Sequence, residues 1–295
     1  MTQQADYCEE TAAADVAAID REDTVTAEKL TVSGAADGAR HRKIRIVLPA
    51  YNEEEALSLF LGEIVETLTD ANIDHEIIVV DDGSSDSTAN VVREASLSMP
   101  VRLIQHQQNQ GLAAAIRTGL QAGTEDALAG DLVVTMDADR TQRPEAIPQM
   151  LEQIEAGHDF VIASRYRHGA SVVGVPWHRN LLSLGGRVLF QSLFPTRGVR
   201  DYTSGARAYR AGLLHEMLDH YGGNLISEEG FSCMVDLLLK ARALNADFAE
   251  VPLTLRYDYK PGLSKMSVLS NVWETLCLAG RVRVRGVSSS VRRSV

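Results

Sequence analysis

The chain has 295 residues, of which 45% are hydrophobic, and a formal net charge of -11. This length suffices for one sizeable core, and the acidic balance indicates no nucleic-acid partner. No run of about 18 apolar residues is present, which excludes a membrane-spanning helix at this stage. Three widely spaced cysteines, Cys8, Cys233 and Cys277, predict reduced thiols and a cytoplasmic protein.

The first 43 residues differ in composition from the rest of the chain. Residues 1–40 hold nine acidic and three basic side chains, and they show no apolar periodicity that would bury a face. We therefore expect residues 1–43 to form an acidic, disordered leader.

From residue 44 onward, short β-rich runs alternate with helical patterns. The strand-like runs are 44–48, 76–80, 101–105, 131–135 and 159–163. Helical periodicity fits 54–69, 88–96, 111–124 and 144–156. The third of these helices is rich in small residues suited to close packing. This alternation predicts an α/β fold with a mostly parallel sheet flanked by helices.

Polar clusters follow the ends of four of these strands. They are PAYNE (49–53), DDGSSDST (81–88), DAD (137–139) and SRY (164–166). The carboxyl ends of parallel strands meet at one edge of an open α/β sheet, and ligands bind there. Four clusters on one edge predict a single ligand site.

The DAD cluster places two carboxylates one residue apart, directly after a strand. Asp137 and Asp139 can direct oxygens to a common point, with the small Ala138 between them. Such ligands suit Mg²⁺ or Mn²⁺ when substrate phosphates complete the coordination shell. The bound metal would neutralise charge on a leaving diphosphate. A solvated turn is the alternative interpretation.

The first two clusters carry groups suited to a nucleotide. Asp81 and Asp82 follow a buried strand, so each carboxylate needs a partner, which a base or ribose would supply. Turn formation and helix capping account for 83–86 without any ligand. Tyr51 can stack on a base and Glu53 can accept ribose or base protons, whereas Asn52 is equally suited to capping a helix.

The second half has weaker patterns. A loop over 169–177 precedes a predicted helix over 178–193, and a helix over 227–243 leads into a predicted strand over 247–255. A final amphipathic helix over 266–279 is followed by five arginines. Its apolar face either packs on the main domain or contacts an anionic membrane surface.

Together these motifs resemble the inverting family 2 glycosyltransferases. The likeness rests on PAYNE, DDGSSDST, NQGLAAAIRTG, DAD, SRY, SGARAY and GLSK over about residues 44–270, and it is greatest to dolichol- and polyprenol-phosphate mannose synthases. It implies a GT-A fold over 44–265, a divalent metal, and displacement at the anomeric carbon with inversion. The donor contacts that it implies are Pro49, Tyr51, Glu53, Asp82, Asp137, Ala138 and Asp139, to which we add Asp81.

The chain departs from the family pattern at two places. The region after DAD usually reads L-Q-H-P-P-E, with the Gln as a metal ligand, but Thr141 stands at that position here. Either Gln142 takes its place or the metal has one protein ligand fewer. In the late R-x-x-G-x-S-K pattern the Arg is replaced by Tyr259, whereas Lys265 is kept and is expected to reach the donor diphosphate.

The resemblance also implies an acceptor site. Cations and a hydroxyl around the acceptor phosphate correspond to Arg165, Arg179, Ser183 and Arg207, and the planar fork of Arg suits phosphate oxygens. A hydroxyl acceptor would need a general base, for which Glu228, Glu229 and Asp236 are candidates. For Asp236, a salt bridge to an arginine is the alternative.

Three functions remain open. The first is a cytoplasmic, peripheral enzyme that moves a hexose, mannose or glucose, from a GDP- or UDP-sugar to a polyprenyl phosphate. Its predicted catalytic residues are Asp139, Arg165 and Asp236. The second keeps fold and donor but uses a soluble hydroxyl acceptor. The third is an inactive nucleotide-binding module, against which the intact DAD argues. A Rossmann dehydrogenase is excluded because no G-x-G-x-x-G follows the first strand.

Overall fold

A computed structural model describes residues 42–175, 177–230 and 232–259, with only the backbone described for 177–182 and 259. The predicted leader up to residue 41, Lys265 and the predicted C-terminal helix with its arginines lie outside the described residues. Within these residues, none of the helices combines the length and apolar character needed to cross a membrane.

The first part of the chain alternates strands and helices. In order they are β1 (Ile44–Ala50), α1 (Glu54–Asp70), β2 (His75–Asp81), α2 (Thr88–Ala95), β3 (Val101–Gln105), α3 (Leu112–Thr124), β4 (Leu132–Thr135), α4 (Ala146–Glu155) and β5 (Phe160–Ser164). These five strands and four helices confirm the predicted ones, with ends that agree to within two residues.

The second part is less regular. It contains β6 (Ser171–Val173), α5 (Trp177–Leu193), β7 (Arg207–Arg210), α6 (Ala211–Tyr221), α7 (Ser232–Ala243), β8 (Phe248–Pro252) and β9 (Thr254–Arg256). Two short 3-10 helices cover Gly222–Asn224 and Tyr257–Tyr259. The helix predicted over 178–193 is confirmed as α5, whereas β6, β7 and α6 were not predicted.

A seven-stranded sheet forms the centre, in the order β3-β2-β1-β4-β7-β5-β8. Its strands pair in parallel except β7, which is antiparallel to both β4 and β5. The predicted mostly parallel sheet is therefore confirmed. Sequence pattern missed β7 because its four residues begin and end with arginines and contain no apolar run.

Two predicted elements have different bounds. The strand predicted over 247–255 is two strands, since Leu253 separates β8 in the main sheet from β9, which pairs with β6. The helix predicted from Ser227 begins at Ser232. Ser227 lies before it, and its N–H donates to the Asp236 carboxylate at 2.7 Å.

The core lies on both faces of the sheet. Leu132 and Val134 of β4 pack with α1 and α4, whereas Val133 packs with α3 and the later helices. All three are fully buried, and each such side chain contributes about 1.5–3 kcal/mol. Helix α3 lies so close to the sheet that a Cβ on Gly119 would overlap Val47, which confirms its predicted close packing.

Candidate active site

The loops that follow β1 and β2 are joined by hydrogen bonds. Asn52 N–H donates to Ser84 Oγ at 2.9 Å, and Asn52 Oδ1 accepts from Ser85 N–H at 2.9 Å. Asn52 has a φ of 56°, a left-handed conformation that Asn tolerates better than most residues. Glu53 N–H adds a bond to Thr88 Oγ1 at 2.9 Å. The two loops therefore form one unit, with Asn52 as its cross-link.

Around this unit, Tyr51 presents its ring to solvent. The residue is 44% exposed, whereas Pro49 and Glu53 beside it are half-buried. An exposed ring at the carboxyl edge of β1 leaves a face free for stacking on a base. The predicted donor contacts of these three residues stay predictions.

Asp81 and Asp82 are buried and find their partners inside the chain. The Asp81 carboxylate accepts from Ser84 N–H at 3.0 Å and from Gln105 Nε2 at 3.0 Å. The Asp82 carboxylate accepts from Gln110 N–H at 3.0 Å and Gly111 N–H at 2.8 Å. Hydrogen-bond donors within the chain thus satisfy both carboxylates without a nucleotide, so the burial argument for a base or ribose partner does not hold.

Asp82 also lies beside His106. Its Oδ1 is 2.7 Å from His106 Nδ1, and His106 Nε2 is 3.0 Å from Thr118 Oγ1. Gly83 has a φ of 70°, and a Cβ there would lie 2.5 Å from the Gln108 carbonyl carbon. The second loop is therefore packed tightly on the segment that leads into α3.

Each carboxylate of the DAD cluster is held by a residue just after it. Gln142 Oε1 accepts from the Asp137 N–H at 3.0 Å, and Gln142 Nε2 donates to Asp137 Oδ2 at 2.5 Å. Thr141 Oγ1 donates to Asp139 Oδ1 at 2.6 Å. Thr141 and Gln142 are both buried. Thr141 and Gln142 thus orient the two carboxylates. Both polar atoms of the Gln142 side chain are bonded to Asp137, and its contact with a metal stays a prediction.

The pair fits a divalent cation that is completed by a substrate. Asp137 and Asp139 supply hard oxygens at a strand end, as Mg²⁺ and Mn²⁺ require. Among the residues that the structure describes, no group of three or more His, Cys, Asp or Glu side chains is placed to hold a metal alone.

The loop after the DAD cluster is clamped to α1. Glu63 accepts from Arg140 at 3.0 and 2.5 Å and from Arg143 at 3.0 Å. Burial raises the pKa of Glu63, but the hydrogen bond from Arg140 and the charge of Arg143 outweigh it and lower the pKa below its usual 4.5. β9 holds the other side of the loop, since Arg256 N–H donates to the Thr141 carbonyl at 2.7 Å.

Arg165, at the end of β5, binds a buried carboxylate. Its Nε and one terminal nitrogen donate to the two oxygens of Asp201 at 2.8 and 2.7 Å, and that nitrogen also donates to Thr203 Oγ1 at 2.6 Å. Burial raises the pKa of Asp201, but Arg165 outweighs it, so the pKa lies below the usual value. Arg165 is thereby fixed in place and permanently charged.

Glu250 of β8 binds the backbone of the loop that contains Asp201. Its Oε1 accepts from Arg200 N–H at 2.6 Å and Asp201 N–H at 2.7 Å. Burial raises its pKa, and these hydrogen bonds and the charge of Arg167, whose Nε is 3.3 Å away, oppose the rise only in part. Glu250 thus fixes the backbone that presents Asp201 to Arg165.

Tyr166 connects β5 to α5. Its hydroxyl lies 2.7 Å from Ser183 Oγ and donates to the Ser183 carbonyl at 2.9 Å. Two guanidinium carbons lie near its ring, that of Arg165 at 5.5 Å and that of Arg187 at 4.9 Å from the centroid. Tyr166 therefore links Ser183 of α5 to the neighbourhood of Arg165, and the predicted role of both residues at an acceptor phosphate stays a prediction. Arg179 lies on α5, but only its backbone is described.

Arg207 lies in the core, which corrects its predicted contact with the acceptor. It is fully buried, and its guanidinium donates to the carbonyls of Tyr202, Ser204 and Met234 at 2.5–2.8 Å. Because these carbonyls use Nε and both terminal nitrogens, Arg207 fastens the loop before β7 to α7.

Asp236 also has a structural partner. Its Oδ2 accepts from Lys240 Nζ at 2.8 Å and from Ser227 N–H at 2.7 Å. The predicted alternative for Asp236 was a salt bridge to an arginine. The structure shows a salt bridge to Lys240, one helical turn later. This arrangement accounts for the buried charge without a role as general base.

Residues 201–205 touch both halves of the site, which sequence reasoning missed. Asp201 binds Arg165, and a Cβ on Gly205 would lie 2.5 Å from Asp137 Oδ1. Thr135 Oγ1 donates to the Gly205 carbonyl at 2.8 Å and fixes this approach. The SGARAY motif was a signal for this segment, but nothing local marked Asp201 as a partner of Arg165.

The sheet, the DAD pair at the end of β4 and the arginine at the end of β5 define a GT-A glycosyltransferase. The chain belongs to glycosyl transferase family 2, whose family model matches residues 45–218. The predicted fold, enzyme class and family are thereby confirmed.

Three relatives illustrate the similarity. A polyprenol monophosphomannose synthase from Mycolicibacterium smegmatis is 34% identical over 82% of this chain and 87% of its own. An undecaprenyl-phosphate mannosyltransferase from Micrococcus luteus is 33% identical over 76% and 88%. The crystal structure of glucosyl-3-phosphoglycerate synthase from Mycobacterium tuberculosis, in complex with Mn²⁺, UDP and glucosyl-3-phosphoglycerate, is 26% identical with a TM-score of 0.54, covering 76% of this chain and 73% of that one.

Proposed function

We propose that this enzyme transfers a hexose, mannose or glucose, from a GDP- or UDP-sugar to a polyprenyl phosphate, with inversion at the anomeric carbon. The observation that carries the proposal is the segment 201–205, which contacts the predicted metal ligand Asp137 at one end and the predicted acceptor ligand Arg165 at the other. Five consecutive residues thus lie next to a predicted donor-side group and a predicted acceptor-side group, which supports one site for both substrates. The names of the two mannosyl-transferring relatives support the acceptor class.

On the donor side, Tyr51 would stack on the base, and Glu53 and the Asp82 loop would enclose the nucleoside. Asp137 and Asp139 would hold Mg²⁺ or Mn²⁺ against the diphosphate. That metal, when bound, supplies charge neutralisation to the leaving group. Thr141 and Gln142 keep the two carboxylates oriented while the donor binds and leaves.

On the acceptor side, Arg165 and Ser183 would bind the phosphate, together with Arg179. A phosphate oxygen is already anionic near neutral pH and needs no proton removed before it attacks. The engagement of Asp236 by Lys240 agrees with such an acceptor. Lys265 is proposed to contact the donor diphosphate, and the amphipathic helix and basic tail over 266–295 are proposed to contact the cytoplasmic membrane face. A leader over 1–43 and a catalytic domain over 44–265 complete the proposed organisation.

A second candidate acceptor is a soluble phosphorylated alcohol. The M. tuberculosis relative was captured with glucosyl-3-phosphoglycerate, a glycoside of such a compound. The same basic site would then bind the phosphate while a neighbouring hydroxyl attacks.

The test is a screen of GDP- and UDP-hexoses with Mn²⁺ against undecaprenyl phosphate and 3-phosphoglycerate. We expect a lipid-linked hexose from at least one donor and none from Asp139→Ala. Transfer to 3-phosphoglycerate alone would move the assignment to the second candidate. Full activity of Asp139→Ala would overturn the metal role.

A further inference from the structure

Arg187 is a cation of α5 to which the described residues give neither a hydrogen bond nor an ion pair. Its Nε is buried and makes no hydrogen bond, and no ion pair joins it to any residue within the described ranges. A buried guanidinium nitrogen without a partner is uncommon, because the group loses its water without replacement. Such a nitrogen calls for an explanation, and a bound anion is one that suits a guanidinium group.

The position of Arg187 is fixed by Tyr166. Its guanidinium carbon lies 4.9 Å from the centre of the Tyr166 ring, at the distance of a favourable cation–π contact. The hydroxyl of the same tyrosine binds Ser183, and Arg187 follows Ser183 by four residues on α5. Residues four apart share one face of a helix, so Arg187 and Ser183 present their side chains to the same region.

Arg165, the other arginine near Tyr166, differs from Arg187 in its hydrogen bonds. Its Nε and one terminal nitrogen are bound by Asp201 and Thr203, so most of its fork is committed to the protein. Arg187 makes no hydrogen bond or ion pair to any of the residues that the structure describes, so its terminal nitrogens are not committed to them. Of the two guanidinium groups near Tyr166, Arg187 is therefore the better placed to give a bidentate contact to a phosphate.

We propose that Arg187 is a further acceptor-binding residue, which donates hydrogen bonds to the phosphate monoester of the acceptor. This inference rests on the proposed function, since it names a residue of the same site. The stacked Tyr166 orients the guanidinium, and Ser183 and Arg165 complete a phosphate site between β5 and α5.

The direct test is calorimetric binding of farnesyl phosphate in a neutral detergent, without donor, to the wild-type chain, Arg187→Gln and Arg187→Lys. We expect Arg187→Gln to weaken binding about tenfold or more, the loss of one charge-assisted hydrogen bond. Arg187→Lys should fall between the two, because it keeps the charge but not the fork. The matched control is Arg197→Gln, an exposed arginine after α5, which should bind like the wild type.

Two further measurements separate this inference from its alternatives. In turnover, Arg187→Gln should raise the KM for the lipid phosphate and leave that for the donor sugar within about twofold. Equal binding of farnesyl phosphate by the wild type and Arg187→Gln would overturn the proposal. If Arg187→Gln in that case no longer sedimented with anionic phosphatidylglycerol vesicles, Arg187 would be assigned to membrane phosphates instead. Because binding is measured without transfer, absence of product from the wild type would count against the proposed function alone.

Discussion

Arg165 and Asp201 form a bidentate ion pair, in which the two carboxylate oxygens lie 2.8 and 2.7 Å from two guanidinium nitrogens. The Asp201 side chain is fully buried, whereas that of Arg165 is 23% exposed. The buried carboxylate of Asp201 therefore holds the partly exposed guanidinium of Arg165 in position at the site.

Replacing Asp201 with Asn removes the charge that balances Arg165. Breaking a buried pair leaves the remaining charge uncompensated, so we expect the free energy of unfolding to fall by about 3 kcal/mol, with a large loss of transferase activity. Urea denaturation measures the first effect. Glu155→Gln, which removes an exposed pair with Arg42, should cost less than about 1 kcal/mol. Equal stability of the two variants would show that Asp201 has no such role.

Gly205→Ala should displace a metal ligand without removing it. A Cβ at this position would lie 2.5 Å from Asp137 Oδ1, so the carboxylate must move. We expect activity at limiting Mn²⁺ to fall about tenfold or more, as for other disturbances of the surroundings of a metal ligand. The control, Gly62→Ala in α1, meets no atom within 4 Å and should keep full activity. Unchanged Mn²⁺ dependence in Gly205→Ala would contradict the assignment of Asp137.

Gln142→Ala distinguishes a support from a ligand. If Gln142 only holds Asp137, as its two hydrogen bonds indicate, the variant keeps its maximal rate at high Mn²⁺. The Mn²⁺ concentration for half-maximal activity should rise about tenfold. Gln153→Ala on α4 is the matched control. A maximal rate that excess Mn²⁺ does not restore would make Gln142 a ligand.

The clamp of Glu63 on Arg140 and Arg143 predicts a pH-dependent stability. Its carboxyl pKa in the folded chain lies below the usual 4.5, so the folded state binds its proton more weakly than the unfolded state. The resulting stabilisation is present above about pH 4.5 and is lost as the pH falls through the lowered value.

We therefore expect Glu63→Gln to be less stable than the wild type by about 1 kcal/mol at pH 7, with the difference shrinking below pH 4.5. Urea denaturation at a series of pH values measures this. Glu66→Gln, on the exposed side of the same helix, should show a difference near zero throughout. A Glu63→Gln difference that stays constant into acid would rule out the clamp as its source.

Local patterns were enough to predict where the first five strands end and that Asp137, Asp139 and Arg165 follow those ends, because each cluster directly follows an apolar run of the right length. The roles of these residues in binding stay predictions. The bond between Arg165 and Asp201 spans 36 residues, and no local pattern contains such a distance. Arg207 was misplaced for a related reason, since a charged residue in a four-residue strand gives no sign that backbone carbonyls will surround it.

The bonds that Asn52 makes to Ser84 and Ser85 have a practical consequence for changing donor preference. If residues 49–55 alone were exchanged for those of a related enzyme, Asn52 would be separated from Ser84 and Ser85. Glu53 would be separated from Thr88 in the same way. The two loops behave as one unit, although most of α1 and β2 lies between them in the sequence. A chimera should therefore carry 49–55 and 81–88 together.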